Sequence, residues 1–409
     1  MNKKKIINDP VYGFISIPSE LIFDIIEHPW FQRLRRIRQL GLTEMVYPGA
    51  IHTRFHHALG AMHLMGKALD NLRNKGIDIS AEEYEAAQIA ILLHDIGHGP
   101  FSHALEESLL PDAQHESISY LFMQRLNKIF NGKLDMSLRM FRNSYKRKFF
   151  HELIASQLDI DRLDYLRRDS FFTGVSEGSI GVDRIIAMLN VVKDQLVVEE
   201  KGIYSIENFL NARRLMYWQI YLHKTTVSAE RMIVNIIKRA SMLTKANMNV
   251  TCSDALHTFL ARDYKAEDFS TDKNILEAYG KLDDSDIMGA IKLWQYHTDN
   301  ILSGLCNMLL QRKLFKISLQ QQPVKKEDIE KVRAAIASKY KVLRNDTVYL
   351  FSHGQVSNEA YVAEGQKINI LTKTGKIIDI AEASDLPNIK AISKIVKKSY
   401  LCYPKNLSL

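Results

Sequence analysis

Cysteine is almost missing from this chain: Cys252, Cys306 and Cys402 are the only three in 409 residues, far apart and without paired spacing. That excludes a disulfide framework and a thiolate metal site, so any metal must be held by nitrogen and oxygen. No run approaches the ~18 apolar residues of a membrane span. The start, Met1 to Pro10, has lysines but no apolar segment of signal-peptide type. A cytoplasmic protein with no membrane partner is expected. Proline and glycine are sparse within the apolar-periodic stretches, and there is neither an internal repeat nor a long low-complexity segment. Negative charge is also in deficit. Lys plus Arg number 55 against 47 Asp plus Glu, a formal net charge of +8, which favours polyanions: nucleic acid, an anionic surface, or the phosphates of a small substrate. The basic runs at Lys3 to Lys5, Arg33 to Arg38, Lys146 to Lys148 and Arg167-Arg168 follow no finger or ribonucleoprotein motif, and each reads most simply as a solvated face.

What remains is ordinary globular composition, 46% hydrophobic and 25% charged, in a chain long enough for two units. Helical periodicity dominates to about residue 312. The pattern predicts helices over Ala58 to Leu72, Ala81 to Leu93, Ser117 to Phe130 and Phe149 to Leu158, then one long segment from Ile206 to about Met242. A small hairpin is expected from Val191-Val192 to Val197-Val198, with Ile203-Tyr204 following it. Beyond Leu314 the texture alternates: a helix near Glu327 to Lys341, then strands around Val348 to Phe351, Ile368 to Leu371 and Lys376 to Ile380. The expected fold class is therefore mainly α, a helical body over residues 1–320 with a smaller C-terminal α+β unit over residues 321–409.

The chemistry gathers where the helix Ala81 to Leu93 runs out, at His94-Asp95-Ile96-Gly97-His98-Gly99. An imidazole beside a carboxylate at the end of an apolar helix can aim two kinds of donor at one cation. His57 upstream and Asp161 downstream supply a second imidazole and a second carboxylate. Such a mixed set suits Fe, Mn, Zn, Ni or Co, and also Mg, with open positions for water and a substrate oxygen. Singly, His57 reads as a surface or satisfied core histidine and Asp161 as a helix-end carboxylate. His98, His103 and His115 crowd the same stretch, a density that packing alone gives little reason to expect. Histidine exists in both protonation states near neutrality, so His115 could donate a proton to a leaving alkoxide, with Glu106 orienting it. The bland alternative is a first-turn histidine facing water.

At this point the residues resemble a known family. Asn8-Asp9-Pro10, Phe31-Gln32-Arg33-Leu34-Arg35, Gln39-Leu40-Gly41, Tyr47-Pro48-Gly49-Ala50, Arg54-Phe55-His56-His57-Ala58-Leu59-Gly60, His94 to His103, Asp161-Arg162-Leu163-Asp164-Tyr165 and Tyr221-Leu222-His223-Lys224-Thr225 are similar to the HD-domain deoxynucleoside triphosphate triphosphohydrolases. That group includes the animal SAM-and-HD-domain protein, and with no SAM domain ahead of these motifs the bacterial members are the expected relatives. The match runs in order over about residues 5–225 and weakens beyond residue 320.

The resemblance implies an HD-domain helical body whose metal is held by His57, His94, Asp95 and Asp161. It further implies phosphate contacts from Arg54, Arg162 and Arg213, a substrate pocket that includes Leu40, and sugar 3′-hydroxyl contacts from Gln39 and Asp169. Tyr165 and Tyr221 would wall the ribose and exclude a 2′-hydroxyl. The implied reaction is hydrolysis of a dNTP to the deoxynucleoside and inorganic triphosphate, by attack of metal-bound hydroxide on the α-phosphorus with His115 protonating the departing 5′-oxygen. The resemblance also implies a homo-oligomer, dimer or tetramer, and a nucleotide effector site near the amino terminus at Lys5, Asn8, Glu27, Gln32 and Arg35. Glu27 stands where the animal protein has aspartate. Two other classes fit the residues: an HD phosphohydrolase acting on a nucleoside monophosphate, cyclic or signalling nucleotide, and a nucleic-acid-binding module with a structural metal.

Overall fold

The computed structural model describes residues 5–102, 104–105, 108, 114–358, 367–385 and 395–407. It is mainly α, as the periodicity predicts, with small sheets at its edges. A short hairpin, β1 (Ile6–Asp9) and β2 (Gly13–Ser16), leads into α1 (Glu20–Glu27). The body is built on α2 (Arg54–Asn74), α3 (Ala81–Leu93), α4 (His115–Ile129), α5 (Phe149–Ile154) and α6 (Ile160–Thr173). Helix α3 opens with a capping box in which Ser80 Oγ accepts from Glu83 N–H and the Glu83 carboxylate accepts from Ser80 N–H. Residues Ala86 to Leu93 are all buried, which explains why this helix shows no polar face. Each large aliphatic chain so buried contributes ~1.5–3 kcal/mol.

Several expected elements differ. Helix α2 begins at Arg54, four residues before the apolar stripe at Ala58, because Thr53 and His56 form a capping box ahead of it. The helix from Phe149 stops at Ile154, since Asp159 takes the Ser156 and Arg162 amides and starts α6 as its N-cap. The hairpin is present as β3 (Leu189–Val192) and β4 (Gln195–Glu199), turned by Lys193 and Asp194, both at positive φ as a two-residue turn requires. Ile203 and Tyr204 are not strand but the first turn of α7 (Ile203–Met216). The long segment to Met242 is interrupted by a π-helical turn, Tyr217–Tyr221, before α8 (Lys224–Lys245), whose N-cap is His223. Widened turns of this kind re-aim side chains and recur at functional sites.

Short helices between residues 254 and 310 complete the body. The chain then forms β5 (Lys316–Gln320), α9 (Lys326–Tyr340), a 3-10 turn over Arg344–Tyr349 where a strand was expected, and β6 (Ser352–Ser357). Strands β7 (Asn369–Leu371), β8 (Ile377–Asp379) and β9 (Lys397–Tyr403) follow. One antiparallel sheet has the order β5-β9-β6, with β9 pairing from Lys316↔Tyr403 on one side and Ser352↔Cys402 on the other. The other, β3-β4-β7-β8, joins β7 parallel to β4 at Val198↔Ile370. Our proposed division at residue 320 falls at the last residue of β5. The buried hydrophobic residues form one cluster, from Ile15 in β2 to Tyr403 in β9.

Two arginines of the basic runs are not solvated. Arg33 is fully buried and donates to the carbonyls of Ile96, His98 and Leu282, clamping the loop after α3. Arg168 is equally buried, between Asp9 and Asp164. Among the described residues no helix is long and apolar enough to cross a membrane.

Candidate active site and metal centre

Three helix ends meet at one point. His57 lies in the first turn of α2, His94 caps the carboxyl end of α3 with Asp95 next to it, and Asp161 lies in the first turn of α6. His57 Nε2 stands 3.4 Å from His94 Nε2 and 3.0 Å from Asp161 Oδ1, and 3.8 Å from Asp95 Oδ2. His94 Nε2 is 3.4 Å from Asp161 Oδ1 and 3.3 Å from Asp95 Oδ1. Both histidines and Asp95 are buried and Asp161 is partly so. His56, one position earlier, turns the other way, its Nδ1 accepting the Thr53 N–H.

The other nitrogen of each ring decides what the inner one offers. His94 Nδ1 is 2.6 Å from the Ile91 carbonyl, an acceptor only, so Nδ1 carries the proton. His57 Nδ1 is 2.7 Å from Asp164 Oδ2 and is held the same way. Both Nε2 atoms thus face the same place as the Asp161 carboxylate, while Asp95 borders it through Oδ1 and groups with His98 and His115. The donor set fits a divalent cation, with the two outer contacts fixing tautomer and ring orientation. Electrostatics agrees. Burial disfavours a charged His57, yet Asp161 and Asp164 outweigh it and hold the ring at about 10; His94 is raised by Asp95 and Asp161 against the same burial. Asp161 and Asp95 stay below the usual carboxylate range despite burial, because of the facing histidines and, for Asp95, Arg54. A cluster with such affinity for protons is one that a metal ion, further favoured by the carboxyl end of α3, would satisfy in their place.

The support behind His57 was missed in the sequence. Asp164 is fully buried, accepts from Arg168 Nε at 2.9 Å and Nη2 at 3.0 Å, and is held down to about 2; burial opposes this, and Arg168 and His57 outweigh it. Arg168 Nη1 donates to Asp9 Oδ2 at 2.7 Å, so a chain of charged contacts runs from the β1–β2 turn to His57. The signal for Asp164 was its place in the motif Asp161-Arg162-Leu163-Asp164-Tyr165, three residues after Asp161, which gave it no role.

Beside this donor group, His98 Nε2 is 3.4 Å from Asp95 Oδ1 and its ring stacks on His115 at 3.8 Å between centroids. Burial, then Arg54, pushes His98 well below its ordinary pKa, which keeps it neutral. His115 Nε2 is 3.4 Å from Glu116 Oε1. His103 and Glu106 lie outside the described residues. Arg54 pairs with Asp95 Oδ2 and also donates to Ser102 Oγ. Arg162 lies within 4.0 Å of Asp161 and 3.8 Å of Asp159, whose carboxyl burial and Asp161 push up to about 6 against Arg162. Arg213, buried in α7, reaches the loop before α6 through Gln157 at 3.0 Å.

A second cluster is centred on Asp169, on α6. Its Oδ1 is 2.7 Å from His52 Nε2, and its Oδ2 accepts the Tyr221 hydroxyl at 2.8 Å. Tyr165 meets Tyr221 edge to face at 6.2 Å. Gln39 donates its N–H to the His52 carbonyl, and its Oε1 is buried without a hydrogen-bond partner among the described residues. Leu40 next to it is half-buried. His52, stacked on Phe172 at 4.5 Å, joins Gln39 to Asp169 and was not read from the sequence, where nothing marked it among fourteen histidines. At the amino terminus, Asn8, Glu27 and Arg35 are exposed, Lys5 Nζ sits 3.5 Å above Phe23, and Arg35 donates to Gln32 at 2.8 Å.

The HD domain family model matches residues 54–169, and the HD associated region matches residues 180–259. An uncharacterized protein of Bacillus subtilis is 32% identical over 424 residues, covering 100% of this chain and 94% of that protein. The human deoxynucleoside triphosphate triphosphohydrolase SAMHD1 is 30% identical over 392 residues, covering 83% of this chain and 60% of its own length. The crystal structure of a phosphohydrolase from Bacteroides thetaiotaomicron superposes with a TM-score of 0.95 at 49% identity, over 98% of this chain and 100% of that one. With its histidine–aspartate centre built from the ends of α2, α3 and α6, the chain is an HD phosphohydrolase and belongs to the HD-domain family of the deoxynucleoside triphosphate triphosphohydrolases.

Proposed function

We propose that this protein hydrolyses dNTPs to the deoxynucleoside and inorganic triphosphate. The observation that carries the reading is the stripe on α6. Asp161, Tyr165 and Asp169 follow one another at four-residue spacing, with Arg162 beside them, so a metal ligand, a cation, an aromatic ring and a carboxylate share one helix face. At ~1.5 Å per residue the stripe is about 12 Å long, enough to run from an α-phosphate to a sugar. The human relative's name, a deoxynucleoside triphosphate triphosphohydrolase, points the same way.

A divalent cation held by His57, His94, Asp95 and Asp161 would polarise a phosphoryl oxygen and acidify a bound water. Around it, Arg162 and Arg213 offset the charge of the triphosphate, and Arg54 adds to this while fixing Asp95. His115, stacked on His98 with Nε2 3.4 Å from Glu116 Oε1, would donate a proton to the departing 5′-oxygen. Asp169 keeps lone pairs beyond its bonds to His52 and Tyr221 and accepts from a 3′-hydroxyl, whose oxygen in turn accepts from the Gln39 side-chain amide N–H. The Tyr165 and Tyr221 rings, packed edge to face, would wall the ribose and exclude a 2′-hydroxyl. Under the same reading Lys5, Asn8, Glu27, Gln32 and Arg35 bind a nucleotide effector in a homo-oligomer.

The test is to incubate the protein with each dNTP and rNTP under Mg, Mn, Co and Fe and to separate the products by ion exchange. Inorganic triphosphate from dNTPs alone is expected. Orthophosphate or pyrophosphate as the first product, or equal turnover of rNTPs, would overturn the proposal.

A further inference from the structure

Far along the chain from the centre, a cavity of about 540 Å³ opens between α8, the middle of α9, the turn before β6, and strands β6 and β9. Its lining carries three permanent cations, Arg231, Lys238 and Arg333, with His353 on the rim, and no carboxylate among the described residues. Arg231 and Lys238 lie seven residues apart on α8, with Val234 and Asn235 between them, so one helix face forms the wall. Asn235 fixes the opposite side, donating to the carbonyls of Tyr349 at 2.9 Å and Phe351 at 3.3 Å.

The arginines are held by rings more than by acids. Arg231 stacks over Tyr400 at 5.4 Å, and Arg333 over Phe351 at 5.7 Å. Tyr400 can lie there because its cross-strand neighbour is Gly354, where a Cβ would come within 3.0 Å of the Tyr400 hydroxyl. The one carboxylate on Arg333 is Glu330, 3.3 Å from Nη1 and shared with Arg344, and Arg231 has no ion pair among the described residues. The nearby acids Asp299 and Asp346 are both taken by Arg239. Arg231 Nε and Arg333 Nε are buried without hydrogen-bond partners among the described residues. Buried guanidinium donors with nothing to donate to are costly, and a bound anion is what relieves them.

We propose that this cavity is a second ligand site, which takes a phosphate-bearing small molecule of nucleotide size. Its volume lies within the range of small-molecule sites. The aromatic rings suit a base or sugar, while the cations converge within one concavity instead of tracking a strand as single-strand nucleic-acid grooves do.

The experiment is titration calorimetry of the full chain with inorganic triphosphate, ATP and a single-stranded oligonucleotide, for wild type and Arg231→Gln/Arg333→Gln. Wild type should show a class of triphosphate or ATP sites that the double variant weakens roughly hundredfold, with metal content unchanged. Unchanged isotherms overturn the proposal. Loss of oligonucleotide binding alone overturns it in favour of nucleic acid. Should the double variant fail to fold, the exposed Lys238→Gln variant serves: roughly threefold weaker binding is expected, and no change refutes the site. Either outcome leaves the dNTP assay independent.

Discussion

At the centre between α2, α3 and α6 each buried charge faces one of opposite sign: His57 between Asp161 and Asp164, Asp164 against Arg168, Arg168 against Asp9, Asp95 against Arg54. In the cavity between α8 and the C-terminal sheet, Arg231 rests on Tyr400 and keeps a buried donor unspent. Burial forces the first arrangement, because an unpaired charge so deep costs several kcal/mol. The half-open second site can leave its compensation to a ligand. One region completes its electrostatics internally except for a single cation, and the other waits for an anion.

The largest way to break that contrast is His94→Ala. It removes one of two Nε2 donors and should empty the centre of metal. A divalent ion's stabilisation of phosphoryl charge amounts to several kcal/mol, so turnover should fall roughly a thousandfold or more. Elemental analysis and product assays on one preparation check both. Triphosphate binding at the α8 cavity should survive the change. A variant that kept its metal and its rate would refute the ligand assignment.

Gly60→Ala tests the support behind the ligands. A Cβ at residue 60 would run into Arg168 Nη2 and Asp164 Oδ1, which lie directly over the helix backbone. Neither partner can move without breaking the chain from Asp9 to His57. Overpacking of this kind costs ~1–3 kcal/mol, and loosening a histidine's outer hydrogen bond typically weakens metal binding by about 10- to 100-fold. Urea unfolding and metal titration should show both losses, and wild-type values in both would mean that the network yields freely.

The two regions also differ in how much could be read before folding. Helices α2 and α3 and the His94-Asp95 pair stood out because apolar periodicity and donor chemistry are both local, whereas His57 and Asp161 read singly as ordinary residues and joined them through the family resemblance. Asp164 and His52 did not: each matters through the ring it faces, and which ring that is depends on how α2, α6 and the loop before α2 pack. Arg33 and Arg168 were misjudged for the same reason, since a charge run looks solvated until partners from distant segments bury it. The π turn at Tyr217–Tyr221 has no marker of its own; tertiary bonding of Tyr221 to Asp169 accompanies it. The α8 cavity was invisible because its walls come from residues more than a hundred positions apart.

The smallest expected effect lies between the two extremes, at Tyr221. Its hydroxyl donates to Asp169, and burial, followed by the Asp169 charge, pushes its pKa well above the ordinary value, so it remains a neutral donor at any working pH. Tyr221→Phe deletes the donor and keeps the ring. Asp169 then retains only His52, a loss of about 1–2 kcal/mol, or roughly five- to thirtyfold in kcat/KM for a dNTP. Because the ring still occupies the 2′ side, the preference for deoxyribose should persist in the Phe variant and relax in Tyr221→Ala. Parallel kcat/KM measurements on one dNTP and its rNTP separate the two contributions, and a Phe variant that accepted both sugars equally would show that the hydrogen bond, not the ring, discriminates.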